Sequence, residues 1–248
     1  MALRAFADGA LFAEAIGNGP PRVLALHGWG RRGSDYRHAL AGMDAIALDL
    51  PGFGASPPPE RAMGAHGYAE AIQSILDEFP SPPVVVGHSF GGRIAVCLAA
   101  GHPDRVGPLV LSAAPLLRLE TGRRPAWGYR AARRLNRLHL ISDERMERMR
   151  RTRGSSDYRA VTGVMRDVLV TAVNESYEDE LAHLRDRVFL LWGDQDREVP
   201  VPIAEASLRL IRSNGGNAEL EVLPGVGHLV PVEAPEAMRR VVAEALAG

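Results

Sequence analysis

Three short apolar runs, Val23-Leu24-Ala25-Leu26, Ala45-Ile46-Ala47-Leu48 and Val84-Val85-Val86, do most to limit what this chain can become. None shows the polar alternation of a strand with one wet face, so each predicts a strand covered on both sides. Each run also stops at residues that turn sharply: His27-Gly28, Asp49-Leu50-Pro51-Gly52 and Gly87-His88-Ser89. Helical patterns between the runs predict parallel strands joined by crossover helices. Pro108–Leu111 and Val188–Leu191 extend the sheet, and Ala218–Leu223 closes it. Polar residues then collect at the carboxyl ends of the strands, where open α/β sheets bind ligands.

The alternation stops near Leu116 and resumes after Leu184, with helical spacing between. A chain of 248 residues suits one α/β domain with an insertion better than two domains. Residues 1–115 and 185–248 are therefore expected to form the core, and 116–184 a helical cap over the site. Residues 118–153 carry 12 Arg against 4 Asp or Glu. We read that run as a solvated helix face; the sharper alternative is attraction of an anionic substrate or partner. The whole chain has a formal net charge of −1, which gives no bulk attraction to nucleic acid or acidic membranes. No nucleic-acid or membrane partner is expected, and the oligomeric state is left open.

Cys97 is the only cysteine, so no intramolecular disulfide and no cysteine-based metal site can form. The first eight residues hold charges where a signal peptide needs an apolar run, and no stretch approaches a membrane span. The expected location is cytoplasmic.

Gly87-His88-Ser89-Phe90-Gly91 matches G-x-S-x-G, directly after a strand and directly before the helical run Gly92–Ala100. Such a turn forces Ser89 into strained backbone and lifts its hydroxyl clear of the sheet. Positions 87 and 91 need glycine, because a Cβ there would meet neighbouring backbone. Ser89 then stands at a helix N-terminus, where free N–H groups favour developing negative charge.

At this point the chain resembles a known family. Four segments in order look like the α/β-hydrolase family: His27-Gly28-Trp29-Gly30, Asp49–Ser56, Gly87–Gly92 and Gly225-Val226-Gly227-His228. A fifth, Trp192–Pro200, is similar to the turn that carries the family's acid. The fold this implies is a mostly parallel α/β-hydrolase sheet flanked by helices, with a helical cap insertion.

A serine hydroxyl needs a base to remove its proton. Of the eight histidines, His228 lies in a Gly-rich turn after the last strand, with the family pattern around it. The others belong to different motifs or to surface contexts. The imidazole in turn needs a carboxylate to fix its tautomer and stabilise its charged form. The turn after Leu191 offers both Asp194 and Asp196. The resemblance places the acid three residues after Gly193, which implies Asp196, with Asp194 shaping the turn. The resemblance further implies an oxyanion hole from the backbone N–H groups of Phe90 and Trp29, donors worth ~3–4 kcal/mol each in a transition state. The Trp29 side chain either walls the substrate pocket or packs in the core. Asp49 and Ser56 are read as supports of the loop beneath the site.

Ser89, Asp196 and His228 thus imply ester hydrolysis through an acyl-enzyme, on a small-molecule ester or related acyl substrate, with no metal and no organic cofactor. Carbon–carbon bond hydrolysis, lactonase and perhydrolase chemistry use the same groups, although C–C hydrolases often carry Asn where this chain has His88. A small-ligand sensor on the same fold has no need for three matched groups.

Overall fold

Each apolar run becomes a strand in the computed structural model, which describes residues 2–118 and 161–248. The strands are β1 (Ala2–Phe6), β2 (Leu11–Ile16), β3 (Val23–Leu26), β4 (Ala45–Asp49), β5 (Val84–His88), β6 (Leu109–Ser112), β7 (Val188–Gly193) and β8 (Ala218–Leu223). They form one sheet in the order β1-β2-β4-β3-β5-β6-β7-β8. From β4 to β8 every neighbouring pair is parallel, while β2 is antiparallel to both β1 and β4. The described helices are α1 (Ala65–Ile72), α2 (Phe90–Gly101), α3 (Gly163–Ala172), α4 (Glu178–His183), α5 (Val201–Ser213), α6 (Val230–Glu233) and α7 (Pro235–Ala247).

The continuous apolar character of the central strands is explained by their two covered faces. Leu24, Leu26, Val85 and Leu111 share a core with Tyr68 and Ile72 of α1, Ile94 and Leu98 of α2, and Ile203 and Ile211 of α5. Their neighbours Val23, Ala25, Val84 and Val110 point the other way, onto Met238, Val241 and Val242 of α7. The buried positions of α7 (Met238, Val241, Val242, Ala245) fall at i, i+3, i+4 and i+7, one stripe of a helix, and a proline in its first turn starts it. Burying each such Val or Met side chain favours the fold by roughly 1.5–3 kcal/mol before chain entropy is counted.

Two features depart from the sequence reading. The hairpin β1–β2 was not anticipated. Leu3, Arg4 and Ala5 of β1 are exposed and β2 is only partly buried, and the connection runs through Ala7, Asp8 and Gly9, all at positive φ. The Asp8-Gly9 pair is a hairpin signal that could have found it. In addition, β3 and β4 are joined by a single 3-10 turn, Gly33–Tyr36, not a crossover helix. That connection is tied down too closely for a helix: Gly33 N–H donates to Asp49 Oδ1 at 2.8 Å, and the Tyr36 hydroxyl donates to Leu26 O at 2.9 Å.

Most of the expected cap, residues 119–160, lies outside the described residues, and with it the Arg-rich run apart from Arg118. Of the remainder, α3 lays Met165 against Gly52, and α4 buries Leu181 beside α2 and α5. A polar clasp ties this part to the core. Glu175 Oε2 accepts the Ala65 N–H at the start of α1 (3.0 Å) and the Tyr177 hydroxyl (2.7 Å), while buried Arg93 of α2 donates to Ala172 O.

Candidate active site

Because the strands from β3 onward are parallel, the loops after β3, β5, β7 and β8 all leave the same edge of the sheet. The loop after β5 passes directly into α2, and the sharpness of that passage puts Ser89 at φ 50°, ψ −111°. A non-glycine residue there carries about 1–3 kcal/mol of strain. The turn is possible because side chains are missing around it. A Cβ on Gly91 would overlap Leu26 O, and one on Gly87 would come within 2.6 Å of Gly92 Cα. Ser89 N–H extends the sheet ladder to Ser112 O at 2.9 Å, so the turn is anchored to β6 as well.

The loop after β7 is built differently. Asp196 Oδ1 accepts the backbone N–H groups of Glu198 and Val199, both at 2.9 Å, and the indole N–H of fully buried Trp192 donates to Val199 O at 2.8 Å. Gln195 N–H donates to Val226 O, and Gly193 lies flat against Val226 because a Cβ there would overlap Val226 O. The β7 and β8 loops therefore interlock. Glu233 of α6 closes the arrangement: its carboxylate accepts the N–H of Gly227 at 2.6 Å and of Leu229 at 2.9 Å, clamping the chain on both sides of His228.

Those constraints bring Ser89, His228 and Asp196 into one hydrogen-bonded row. His228 Nε2 lies 3.2 Å from Ser89 Oγ, and His228 Nδ1 lies 2.9 Å from Asp196 Oδ2. The Asp196 side chain is completely buried and that of His228 is 13% exposed. A carboxylate can only accept, so Nδ1 carries the hydrogen and Nε2 faces Ser89 with its lone pair. Burial by itself pushes the His228 pKa down, but the hydrogen bond and charge of Asp196, with the charges of Glu198 and Glu233, outweigh it and leave the pKa raised.

Trp29 and Phe90 stand at the same place. Neither backbone N–H has a hydrogen-bond partner among the described residues. A Cβ on Gly28 would lie 3.4 Å from Ser89 Cβ, so the loop carrying Trp29 rests against the serine. The half-buried Trp29 ring meets Phe53 and Phe90 edge to face, at centroid distances of 5.0 and 5.4 Å. Trp29 thus packs against the core while remaining half-buried.

Asp49 and Ser56 hold the loop beneath. Asp49 accepts the N–H groups of Gly33 and Ala55, both at 2.8 Å, and Ser56 Oγ donates to Asp49 O at 2.6 Å. Asp194, the other carboxylate of the acid turn, accepts the Gly225 N–H at 2.8 Å and is exposed. His27 is buried, with Nε2 accepting the Leu50 N–H at 3.0 Å, and burial holds its pKa down to about 4. His88 is the second residue of the elbow motif. Its ring is buried 5.1 Å from that of His228, its Nδ1 meets Ser112 Oγ at 3.2 Å, and burial holds its pKa down to about 3. Glu233 and His88 escaped the sequence reading because their contacts depend on where loops meet. Among the described residues no group of three His, Cys, Asp or Glu side chains could hold a metal ion, and no helix is long and apolar enough to cross a membrane.

Comparison with known proteins adds the wider context. A family model described as "Alpha/beta hydrolase family" matches residues 23–241. A pimeloyl-(acyl-carrier protein) methyl ester esterase from Chromobacterium violaceum is 44% identical over 108 residues, covering 42% of this chain and 40% of that protein. That likeness therefore spans less than half of the relative's length. A 2-hydroxymuconate semialdehyde hydrolase from Pseudomonas putida is 30% identical over 220 residues, 82% of this chain and 76% of that one. Among solved structures, a thermophilic esterase from Thermogutta terrifontis superimposes with a TM-score of 0.69 at 23% identity, over 98% of this chain and 95% of that chain. At that identity the superposition speaks for the fold alone.

Proposed function

This chain belongs to the alpha/beta hydrolase family, and on that premise we propose that it is a serine esterase acting on a small-molecule ester. The single observation that carries the proposal is the row Ser89 Oγ, His228 Nε2, His228 Nδ1, Asp196 Oδ2, with links of 3.2 and 2.9 Å. His228, neutral at Nε2, takes the Ser89 proton as Oγ attacks the ester carbonyl. Asp196 stabilises the imidazolium that forms. The Trp29 and Phe90 N–H groups, in the loop after β3 and at the N-terminal end of α2 respectively, donate to the oxyanion. His228 then returns the proton to the leaving alcohol, and the acyl-enzyme on Ser89 is released by water through the same steps. Trp29 walls the acyl side of the pocket, and the segment 116–184 acts as the cap that sets acyl preference.

Because His228 must be neutral to act and its pKa is raised, activity rises with pH along a limb centred above the ordinary imidazole value of about 6.5. The decisive experiment is fluorophosphonate labelling together with nitrophenyl ester turnover. Wild type is expected to be labelled once, at Ser89, and Ser89→Ala to fold while losing labelling and turnover by about 10⁴-fold or more. Labelling that survives in Ser89→Ala overturns the assignment. One second reading has a specific observation behind it: the relative matched over 220 residues is named a 2-hydroxymuconate semialdehyde hydrolase. Turnover of 2-hydroxymuconate semialdehyde without turnover of any ester would move the function there.

A further inference from the structure

One carboxylate beside the reacting groups belongs to neither the triad nor the loop supports. Glu198 leaves the Asp196 turn with its side chain 69% exposed, and its Oε2 lies 3.7 Å from His228 Nε2. That nitrogen is the one that also meets Ser89 Oγ. Apart from this contact, the Glu198 carboxylate has no partner among the described residues. At rest Nε2 presents a lone pair, so a neighbouring carboxylate gains nothing from it. The contact becomes favourable only when positive charge arrives, on the imidazole or on a bound molecule.

The other charged groups around His228 are already engaged. Asp196 is paired with Nδ1 and two backbone N–H groups, and Glu233 is held by Gly227 and Leu229. Arg31 is paired with Asp35 at 2.5 Å, and His88 is buried and neutral. Glu198 is left as a net negative charge in solvent at the mouth of the site. In acyl transfer Nε2 hands its proton to the leaving group, so that group departs within hydrogen-bond reach of Nε2. Whatever charge the alcohol or thiol carries is therefore brought close to Glu198.

Building on the serine-esterase reading, we propose that Glu198 sets the charge specificity of the leaving-group side, selecting esters whose alcohol or thiol portion is cationic, as in an ammonium alcohol, over neutral ones, and rejecting anionic ones. A unit charge about 6 Å from an exposed carboxylate changes a rate by roughly threefold to tenfold at low salt, and less as salt screens it. The sharper alternative for the Arg-rich run of residues 118–153, attraction of an anionic substrate, would give the opposite preference, so one experiment separates the two.

Three thioesters with one acyl group and one readout test the proposal on the purified full chain: acetylthiocholine, its neutral isostere 3,3-dimethylbutyl thioacetate, and 3-(acetylthio)propanoate. In each, Ser89 Oγ forms a bond to the acyl carbon, the C–S bond breaks, and the serine proton passes through His228 to the released thiol. Wild-type kcat/KM is expected to fall from cationic to neutral to anionic. Glu198→Gln should reduce the cationic-to-anionic ratio about tenfold or more, Glu198→Asp should keep the order, and high salt should flatten it. Glu205→Gln, an exposed carboxylate on α5, should leave rates and order unchanged. As a readout that needs no turnover, NMR titration of His228 should move to lower pH in Glu198→Gln. Turnover with a ratio unaltered in Glu198→Gln, an anionic preference, or an unmoved His228 titration overturns the Glu198 assignment alone. Failure to turn over any of the three through Ser89 overturns the esterase reading and the proposal with it.

Discussion

The turn after β5 holds Ser89 by leaving side chains out, whereas the turn after β7 holds Asp196 by putting them in. Around Ser89 the fixed contacts are backbone on backbone, with Gly87 and Gly91 pressed against the chain and the strained φ of 50° held by them. Around Asp196 they are hydrogen bonds: two N–H groups to Oδ1, His228 to Oδ2, the Trp192 indole to Val199 O, and the Gly225 N–H to the Asp194 carboxylate. A turn set by steric exclusion has no half-measures, because one added carbon displaces a strand. A turn set by many hydrogen bonds degrades by degrees. Substitutions in the first should therefore report on folding, and substitutions in the second should separate chemistry from stability.

The largest expected effect tests the second turn. Asp196→Asn keeps the size of the side chain but removes the charge, and its amide N–H₂ favours the wrong tautomer of His228. In a well-studied triad that exchange costs about 10⁴-fold in kcat, and the same order is expected here with the fold intact by circular dichroism. A loss of less than tenfold would remove Asp196 from the mechanism. Next comes the first turn: Gly91→Ala places a Cβ into Leu26 O, the last residue of β3. Destabilisation of about 3 kcal/mol or more is expected in urea unfolding, or no soluble protein at all. A Gly91→Ala variant of native stability would mean that the elbow tolerates what the comparison forbids.

The two turns also differed in how far sequence exposed them. The elbow was readable because exclusion leaves a local trace: glycines at 87 and 91 around a serine, after Val84–Val86 and before a helical run. The five central strands, β3 to β7, were readable for a similar reason, since burial on both faces demands unbroken apolar runs. The acid turn was only half readable. Asp194 and Asp196 are chemically alike, and what separates them is which one the β8 loop presents to His228 and which to Gly225, a long-range contact. Glu233 and Glu198 left no local trace at all, because each acquires its meaning from a residue several positions or a whole strand away. The β1–β2 hairpin was missed for the opposite reason, its local signal at Asp8-Gly9 being present but flanked by weak strand patterns.

Buried neutral histidines add a third expectation, smaller in size and spread across both sides of the elbow. His27 and His88 have pKa values held down to about 4 and about 3 by burial, while an unfolded chain binds the proton near 6.5. A depressed folded pKa contributes stability that is fully present above about pH 6.5 and is lost as pH falls toward the folded values. By pH 5 each histidine should cost about 2 kcal/mol, so the urea midpoint should drop steeply between pH 6.5 and 4. His228, with its raised pKa, works in the opposite sense, but its contribution changes mainly above about pH 6.5 and leaves this window nearly untouched. In His88→Gln the slope should be roughly half as steep; an unchanged slope would mean that His88 does not stay neutral in the folded protein.

The smallest effect is the one that sharpens the comparison most, because Asp194 and Asp196 sit in one turn with the same chemistry. Asp194 is exposed, and its Oδ1 accepts a single backbone N–H, that of Gly225, which fixes the start of the loop leading to His228. An asparagine keeps an oxygen for that bond and loses only the charge that strengthened it, so Asp194→Asn should cost about 0.5–1 kcal/mol in stability. Turnover should remain within about threefold of wild type, since His228 keeps Asp196 and the clamp from Glu233. The pH limb should stay where it is, because the charges that raise the His228 pKa come from Asp196, Glu198 and Glu233. If Asp194→Asn instead loses kcat by orders of magnitude while Asp196→Asn retains it, the acid role passes to Asp194. If both lose little, the two-nitrogen contact of His228 is not the seat of the chemistry, and the hydrogen-bonded turn is scaffold alone.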